Sequence, residues 1–223
     1  MTLAVMTHKI KHYTLAVGWG LVFIYVLALL PASVVLTFMR NAVWSDPVEL
    51  WRDAARKSPN KPRPFLNTGY ELHKQGRIDE ALVEYEHAFQ LADNPALNES
   101  QVILARQLAL TNISEIYMQK QDLPRAYGVL KLLWSNFPGF PAAAVNMSKL
   151  LADTGHINEA LGIVNEGIEF GLIAYAWYPN PELLYLNRAE IRRFMGDRGG
   201  ALSDYEMVAS LERNASIIPE CMY

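Results

Sequence analysis

The chain has 223 residues, which is enough for one or two domains, and 51% of them are apolar. It carries 20 basic and 23 acidic residues, giving a net charge of −3. Three basic residues and no acidic ones precede position 41, so the remainder has a net charge of −6. This balance argues against nucleic acid as a partner, because nucleic-acid-binding domains are basic. The single cysteine, Cys221, excludes an intramolecular disulfide.

The amino-terminal region predicts one membrane-spanning helix. Residues 1–12 contain Lys9 and Lys11 and no acidic residue, so we expect them to lie on the cytoplasmic side. Residues 13–39 carry no charge. About twenty apolar residues suffice to cross a hydrocarbon core of about 30 Å, so we predict a transmembrane helix over residues 13–40. Pro31 would kink this helix, which membrane spans tolerate.

A cleaved signal peptide is the alternative interpretation of this segment. The apolar region of a signal peptide is about 7–15 residues long and ends at a small-residue cleavage site. Here the uncharged run is nearly twice that length, and Leu30-Pro31-Ala32 is a poor match to such a site. We therefore expect an uncleaved anchor, with the chain after Arg40 outside the cytoplasm.

Residues 41–61 form the predicted junction between the span and the rest of the chain. Asp46 is a good helix N-cap, Pro47 suits the first helical turn, and Glu49 completes a capping-box spacing. We expect a short amphipathic helix that ends at Ser58-Pro59. Because its apolar positions lie thirty-four residues before matching positions further on, we interpret it as half a repeat.

Residues 62–215 contain a spacing that recurs four times, and residues 216–223 are left as a tail. An asparagine is followed after two residues by a small residue and after fourteen by an alanine, with a turn residue five before the alanine. A period near thirty-four residues predicts a solenoid of four helix-turn-helix repeats. The four sets are Asn67-Gly69-Gly76-Ala81, Asn112-Ser114-Gln121-Ala126, Asn146-Ser148-Gly155-Ala160 and Asn187-Ala189-Gly196-Ala201.

This pattern resembles the tetratricopeptide repeat, most closely in the first repeat, PRPFLNTGYELHKQGRIDEALVEYEHAFQLADNP. The resemblance implies an all-α fold, a helix-turn-helix superhelix that is preceded here by one transmembrane helix. The second and fourth repeats depart from the family pattern, because Gln121 replaces the turn glycine and Arg188 stands where an apolar residue is usual. Eleven extra residues predict a longer first helix in the second repeat, and seven more fall between the third and fourth.

The stretch from Arg40 to Gly69 resembles the junction before the repeats in bacterial multi-pass membrane proteins of the glycosyltransferase type with trailing tetratricopeptide repeats. Nothing in the chain matches the catalytic, many-span portion of those proteins. The motifs H-E-x-x-H, G-x-S-x-G, the Walker loop and G-x-G-x-x-G are all absent. We therefore expect no catalytic residues, no cofactor and no metal site, and we predict that the protein is not an enzyme.

The recurring asparagine is the strongest candidate for a binding residue. In tetratricopeptide arrays the first helix of each repeat lines the concave surface, and in some members its asparagine binds a peptide backbone. A primary amide suits that role because it both donates and accepts hydrogen bonds. The alternative is that the amide bonds the neighbouring helix. The candidate residues are Asn67, Asn112, Asn146 and Asn187 and, one turn on, Tyr70, Glu115, Lys149 and Glu190.

An aromatic insert between the third and fourth repeats, residues 170–185, is a second candidate surface. Its Trp177 and Tyr178 would anchor a partner protein. The alternative is that these rings cover the edge between the two repeats.

Together these features predict a membrane-anchored scaffold or adaptor that binds or assembles partner proteins at an envelope membrane. Its partners would be membrane-associated proteins and, through residues 13–40, the lipid bilayer. We expect a single-pass protein of a bacterial inner membrane with its repeats in the periplasm. Two alternatives stay open: an accessory or regulatory subunit of a membrane glycosyltransferase or polysaccharide system, and a structural accessory subunit of a large membrane complex.

Overall fold

A computed structural model describes residues 19–175, 178 and 180–215. The chain consists of two compact units, residues 1–57 and 58–223. The predicted cytoplasmic segment 1–12, the start of the predicted span and the tail 216–223 lie outside the described residues.

The first unit begins with a long apolar helix. Residues 19–24 are α-helical, a π-helical turn covers Tyr25–Leu29, and helix α1 continues over Leu30–Ser45. We attribute the π-turn to Pro31, because a proline ring clashes with the carbonyl group four residues earlier and a wider turn moves that group away. The segment Trp19–Asn41 is long and apolar enough to cross a membrane, judged by its length and composition alone. No residue in its most apolar stretch is buried.

A sharp turn at Asp46 joins α1 to α2, which covers Pro47–Lys57. The Asp46 carboxylate accepts a 2.9 Å hydrogen bond from the Val48 N–H, as predicted for an N-cap. Lys57 and Arg40 both donate to the Asp53 carboxylate, at 2.7 and 2.6 Å. These two bonds lower the pKa of Asp53 to about 2. Because Arg40 lies on α1 and Asp53 on α2, the carboxylate ties the two helices together.

The second unit is a row of helix-turn-helix pairs. The two helices of a pair contact each other, each second helix contacts the first helix of the next pair, and successive first helices also touch. The first helices therefore lie side by side along one side of the unit. The first helices are α3 (Pro62–Lys74), α5 (Glu99–Gln119), α7 (Pro141–Asp153) and α9 (Glu182–Phe194), and the second helices are α4 (Ile78–Leu91), α6 (Leu123–Asn136), α8 (Ile157–Glu166) and α10 (Arg198–Ala215).

The turn inside each pair lies at the predicted position and has a left-handed backbone. The φ angle is 76° at Gly76, 86° at Gly155 and 85° at Gly196. Glycine adopts this region without steric cost, whereas other residues are strained there. Gln121, at the matching turn of the second repeat, has a φ of 58° and is the one non-glycine residue with a positive φ in the described part of the chain.

The recurring small residues lie where the helices cross. Gly69 is covered by the ring of Tyr85, and a Cβ atom at Gly69 would lie 2.7 Å from Cε1 of that ring. The absence of a side chain therefore leaves room for Tyr85, which is fully buried. The recurring alanines are buried as well: Ala81, Ala126, Ala160 and Ala201.

The second repeat has the longer first helix that its extra residues predict. Helix α5 has 21 residues, whereas α3, α7 and α9 have 13 each. It begins with a capping box, in which the Gln101 N–H donates to the Asn98 side chain at 2.9 Å and the Asn98 N–H donates to the Gln101 side chain at 3.2 Å. These two bonds satisfy backbone groups that the first turn leaves free.

A buried ion pair accounts for Arg188, which stands where an apolar residue is usual. The Asp204 side chain is 3% exposed, and Nε and Nη2 of Arg188 donate to its oxygens at 3.0 and 2.6 Å. Arg192 donates to the same carboxylate at 2.8 Å. The remaining Nη1 of Arg188 donates to Asn165 of α8 at 3.0 Å. Charge therefore replaces apolar packing where α8, α9 and α10 meet.

The extra residues between the third and fourth repeats begin with a π-helical turn, Gly167–Gly171, followed by a single α-helical turn, Leu172–Ala174. Gly171 lies so close to Gly139 that a Cβ atom there would be 2.0 Å from the Gly139 carbonyl oxygen. Tyr175 packs edge-on against Phe140, with ring centroids 5.3 Å apart. Both contacts fix the start of the insert to the connection between α6 and α7.

Candidate protein-binding groove

Three cavities follow one another along the side formed by the first helices. They have volumes of about 280 Å³ between α3 and α5, 580 Å³ between α5 and α7, and 720 Å³ between α7 and α9. Glu115 lines the first two cavities and Lys149 lines the last two. Because neighbouring cavities share lining residues, we treat them as one continuous groove.

The repeat spacing brings most of the predicted residues to this groove, while Asn67 lies outside the three cavities. The equivalent position in each pair faces the same side because the first helices lie parallel in the row. A role of these residues in binding stays a prediction. The predicted residues that line the groove are Tyr70, Asn112 and Glu115 in the first cavity, Asn146 and Lys149 in the second, and Asn187 and Glu190 in the third.

The four asparagines are not equivalent. The amide of Asn187 donates to the carbonyl oxygen of Val145 at 3.2 Å and to the hydroxyl of Ser148, so it bonds the preceding first helix. Within the described part of the chain, the half-buried side-chain amides of Asn112 and Asn146 make no hydrogen bond. Each of these two amides still offers two donors and an acceptor to a ligand in the groove.

Charges of both signs line the groove. Glu115 on α5 and Lys149 on α7 face the second cavity, and neither forms an ion pair with any residue that the structure describes. In the third cavity Glu190 accepts hydrogen bonds from Tyr205 and Arg193, which together hold its pKa below the ordinary value. A ligand whose charges alternate would match this surface better than one with a cluster of like charges.

The cavities at the two ends of the groove are lined by different side chains. At the α3–α5 end, Nε2 of His73 and Oε1 of Gln119 lie 3.0 Å apart, and the Lys74 ammonium lies 5.7 Å from the ring centroid of Tyr70. The largest cavity is partly apolar, and its exposed apolar residues are Leu183, Leu186 and Phe194.

The structure describes only one of the two aromatic residues that the sequence singled out in the insert. Trp177 lies outside the described residues, and Tyr178 is half-buried, which raises the pKa of its hydroxyl. Among the described residues of the insert, the exposed large apolar side chains are Phe170, at 64%, and Ile173, at 80%. The sequence feature that accompanies these two residues is the pair Gly167 and Gly171. Both glycines pack closely against neighbouring residues, where a side chain would not fit.

No protein-family model matches this chain. No curated protein matches it either. Among solved structures, MamA from Desulfovibrio magneticus RS-1 (residue 41 to the end) is similar with a TM-score of 0.54, covering 83% of this chain and 94% of that one at 14% identity. PilF from Pseudomonas aeruginosa is similar with a TM-score of 0.55, covering 78% of this chain and 70% of that one at 17% identity. Both are tetratricopeptide-repeat proteins, so the predicted fold is confirmed: this chain has the fold of a tetratricopeptide-repeat solenoid.

Proposed function

We propose that this chain is a non-enzymatic, membrane-anchored scaffold whose groove binds a segment of a partner protein at an envelope membrane. The observation that carries this proposal is the row of cavities between the first helices, where the amides of Asn112 and Asn146 have no hydrogen-bond partner among the described residues. Half-buried, unbonded amides favour a ligand that supplies N–H and C=O groups, as an extended backbone does.

The dimensions of the groove suit a short extended segment. Neighbouring packed helices lie about 8–10 Å apart, so three steps from α3 to α9 cover about 24–30 Å. An extended chain advances about 3.3 Å per residue, so roughly seven to nine residues would fill the groove. The solenoid architecture supports binding, because repeat units bury one another and leave an extended surface free.

The proposed location is a bacterial inner membrane, with residues 13–40 in the bilayer and the groove on the periplasmic side. The length and apolar composition of Trp19–Asn41 support the span, and Lys9 and Lys11 before it support the orientation. The partner would then be a protein of the membrane or the periplasm.

Site-specific photo-crosslinking in the full-length chain tests the groove. A photoreactive amino acid in place of Lys149 should cross-link the partner, which mass spectrometry then identifies. The matched control is the same substitution at Lys131, an exposed lysine on the second helix α6, which should give no adduct. Equal adducts at both positions, or none at Lys149, would contradict binding in the groove. An adduct with a glycosyltransferase subunit would favour the regulatory-subunit interpretation.

A further inference from the structure

We propose that the groove selects a partner segment in which apolar and charged side chains alternate along an extended backbone. This inference rests on the proposed function, because it specifies the ligand of the same groove. Two levels of side chains, which flank the asparagines on either side, carry it. The apolar level consists of Leu108, Leu183 and Leu186, and the charged level consists of Glu115 and Lys149.

The apolar level lies toward the amino ends of the first helices. Leu108 of α5 and Leu183 of α9 each precede the asparagine of their helix by four residues, so each lies on the same helix face as that asparagine. Both leucines are exposed, as is Leu186. Leu183 and Leu186 line the third cavity together with Val145 of α7. Because apolar surface is stabilised when it leaves water, this level favours apolar side chains of a ligand.

The charged level lies on the other side of the asparagines. Glu115 and Lys149 each follow the asparagine of their helix by three residues, which again places them on the same face. Both line the second cavity, and neither forms an ion pair with a residue in the described part of the chain. Charges of opposite sign complement them best. The ligand therefore carries a basic side chain at α5 and an acidic side chain at α7.

The amides between the two levels determine the direction of the ligand's side chains. Asn112 and Asn146 make no hydrogen bond to any residue that the structure describes, so they offer donors and acceptors to the edge of an extended backbone. The N–H and C=O groups of such a backbone point sideways, whereas its side chains stand at right angles to them and alternate in direction. In a chain that crosses the first helices, the side chains therefore point alternately to the apolar and the charged level.

Distances along and across the helices fit such a chain. At about 1.5 Å per residue, the apolar level lies about 6 Å from the asparagines and the charged level about 4.5 Å, both within reach of a side chain. Residues two apart on an extended chain are separated by about 6.6 Å, and neighbouring helices by about 8–10 Å, so two flexible charged side chains span the difference. Asp153 and Phe194 follow their asparagines by seven residues, about 10 Å away, and lie outside both levels.

Synthetic peptides that bind the purified full-length protein in detergent test the pattern by fluorescence anisotropy. One labelled nine-residue peptide alternates leucine with lysine, aspartate and serine. A second has the same composition with its leucines adjacent and its charges adjacent. Both are made in either chain order, and micelles without protein give the background. The alternating peptide should bind at least about tenfold more tightly, because only it buries its leucines and pairs its charges together.

Substitutions in each level assign the contacts. Lys149→Glu should weaken binding of the alternating peptide by about two- to fivefold and strengthen binding of a version with lysine in place of aspartate. Lys131→Glu, at an exposed site on the second helix α6, is the control and should change neither affinity. Leu183→Asn with Leu186→Asn should remove the preference for the alternating peptide. The exposed Leu202 of α10 is the matched control, and Leu202→Asn should retain that preference.

Failure of this inference is distinguishable from failure of the groove. Equal binding of the alternating and clustered peptides would overturn the alternation, and so would binding of neither. In both cases an adduct from the photoreactive residue at position 149 would keep the groove as the binding site, whereas absence of that adduct would remove the groove as well. A cross-linked partner segment should itself show the alternation, and a segment without it would overturn the inference alone.

Discussion

Arg188 and Asp204 form a doubly hydrogen-bonded ion pair that is almost completely removed from solvent, with 15% and 3% of their side chains exposed. Arg188 belongs to the first helix of the last repeat and Asp204 to its second helix, while Asn165 of the third repeat accepts a further bond from Arg188. A buried charge is tolerated only while its partners remain, so the junction between these repeats depends on the pair.

We predict that Asp204→Ala lowers the free energy of unfolding by about 3–5 kcal/mol, because it leaves the Arg188 guanidinium buried without its main partner. Replacing both residues with leucine should recover most of this loss, since apolar residues of similar volume often substitute for a buried pair. Denaturant unfolding followed by circular dichroism measures both variants. The control is Asp93→Ala, which breaks an exposed pair with Arg106 and should cost less than about 1 kcal/mol. Equal losses for Asp204→Ala and the control would contradict the prediction.

A second prediction concerns the strained turn at Gln121. Gln121→Gly should raise the free energy of unfolding by about 0.5–1 kcal/mol, because relief of left-handed strain exceeds the extra entropy of glycine in the unfolded chain. The opposite change at an equivalent turn, Gly155→Ala with a φ of 86°, should lower it by about 1 kcal/mol. Thermal unfolding of both variants is the measurement. If Gln121→Gly leaves the free energy of unfolding unchanged, the hydrogen bond from the Gln121 side chain to the Met118 carbonyl offsets the strain.

Two helical glycines should respond in opposite directions to the same chemical change. Gly69→Ala places a methyl group 2.7 Å from the buried ring of Tyr85, and we expect a loss of about 1–3 kcal/mol. Gly162→Ala meets no atom within 4 Å and should stabilise the protein by about 0.5–1 kcal/mol through helix propensity. Denaturant unfolding compares the two. Stabilisation by both changes would mean that the Tyr85 ring moves aside freely.

The repeat pattern in the sequence predicts the helices better than it predicts the surfaces. It places all four turns and the longer α5 correctly, because the position of a turn residue within the repeat and the length of the repeat act locally on the backbone. It does not distinguish Asn187, which bonds Val145 and Ser148, from Asn112 and Asn146, which make no such bonds. That difference depends on how closely neighbouring first helices approach, which follows from packing across repeats.

Arg188 and Ile173 are two further residues whose surroundings the repeat pattern does not predict. The sequence marks Arg188 as a departure from the family pattern, but its partner Asp204 lies on another helix and is identified only by tertiary packing. An isoleucine in an aromatic insert would ordinarily be expected in the core. In the structure Ile173 is instead exposed, two residues after the close approach of Gly171 to Gly139.

A prediction on pH concerns the first unit. Lys57 and Arg40 hold the pKa of Asp53 at about 2, against about 3.9 in an unfolded chain. Because the folded value is the lower one, the bonds stabilise the unit above about pH 4, and this contribution is lost as the pH falls through about 2. A carbon-13 NMR titration of the protein in micelles measures the pKa of Asp53. Arg40→Gln should raise the pKa of Asp53, whereas Arg52→Gln, whose partner is Glu49, should not. A value near 3.9 in the unchanged protein would contradict the prediction.

The last prediction concerns the unbonded amides of the groove. Replacing Asn112 and Asn146 together with alanine should weaken binding of the cross-linked partner, because each amide would lose a hydrogen bond to the partner's backbone. A hydrogen bond contributes about 0.5–1.5 kcal/mol net, so the two losses predict roughly five- to a hundred-fold weaker association. Titration of the purified full-length protein with the partner segment measures the dissociation constant, and the melting temperature should change little.

Asn187→Ala is the matched control for these two asparagines. Its amide already bonds Val145 and Ser148, so its loss should lower the free energy of unfolding by about 1 kcal/mol while changing affinity less than the double substitution does. Unchanged binding with a large fall in stability for Asn112→Ala/Asn146→Ala would show that these amides also bond neighbouring helices in solution. Unchanged binding with unchanged stability would exclude both roles and leave the partly apolar end of the groove, at Leu183 and Leu186, as the surface to vary next.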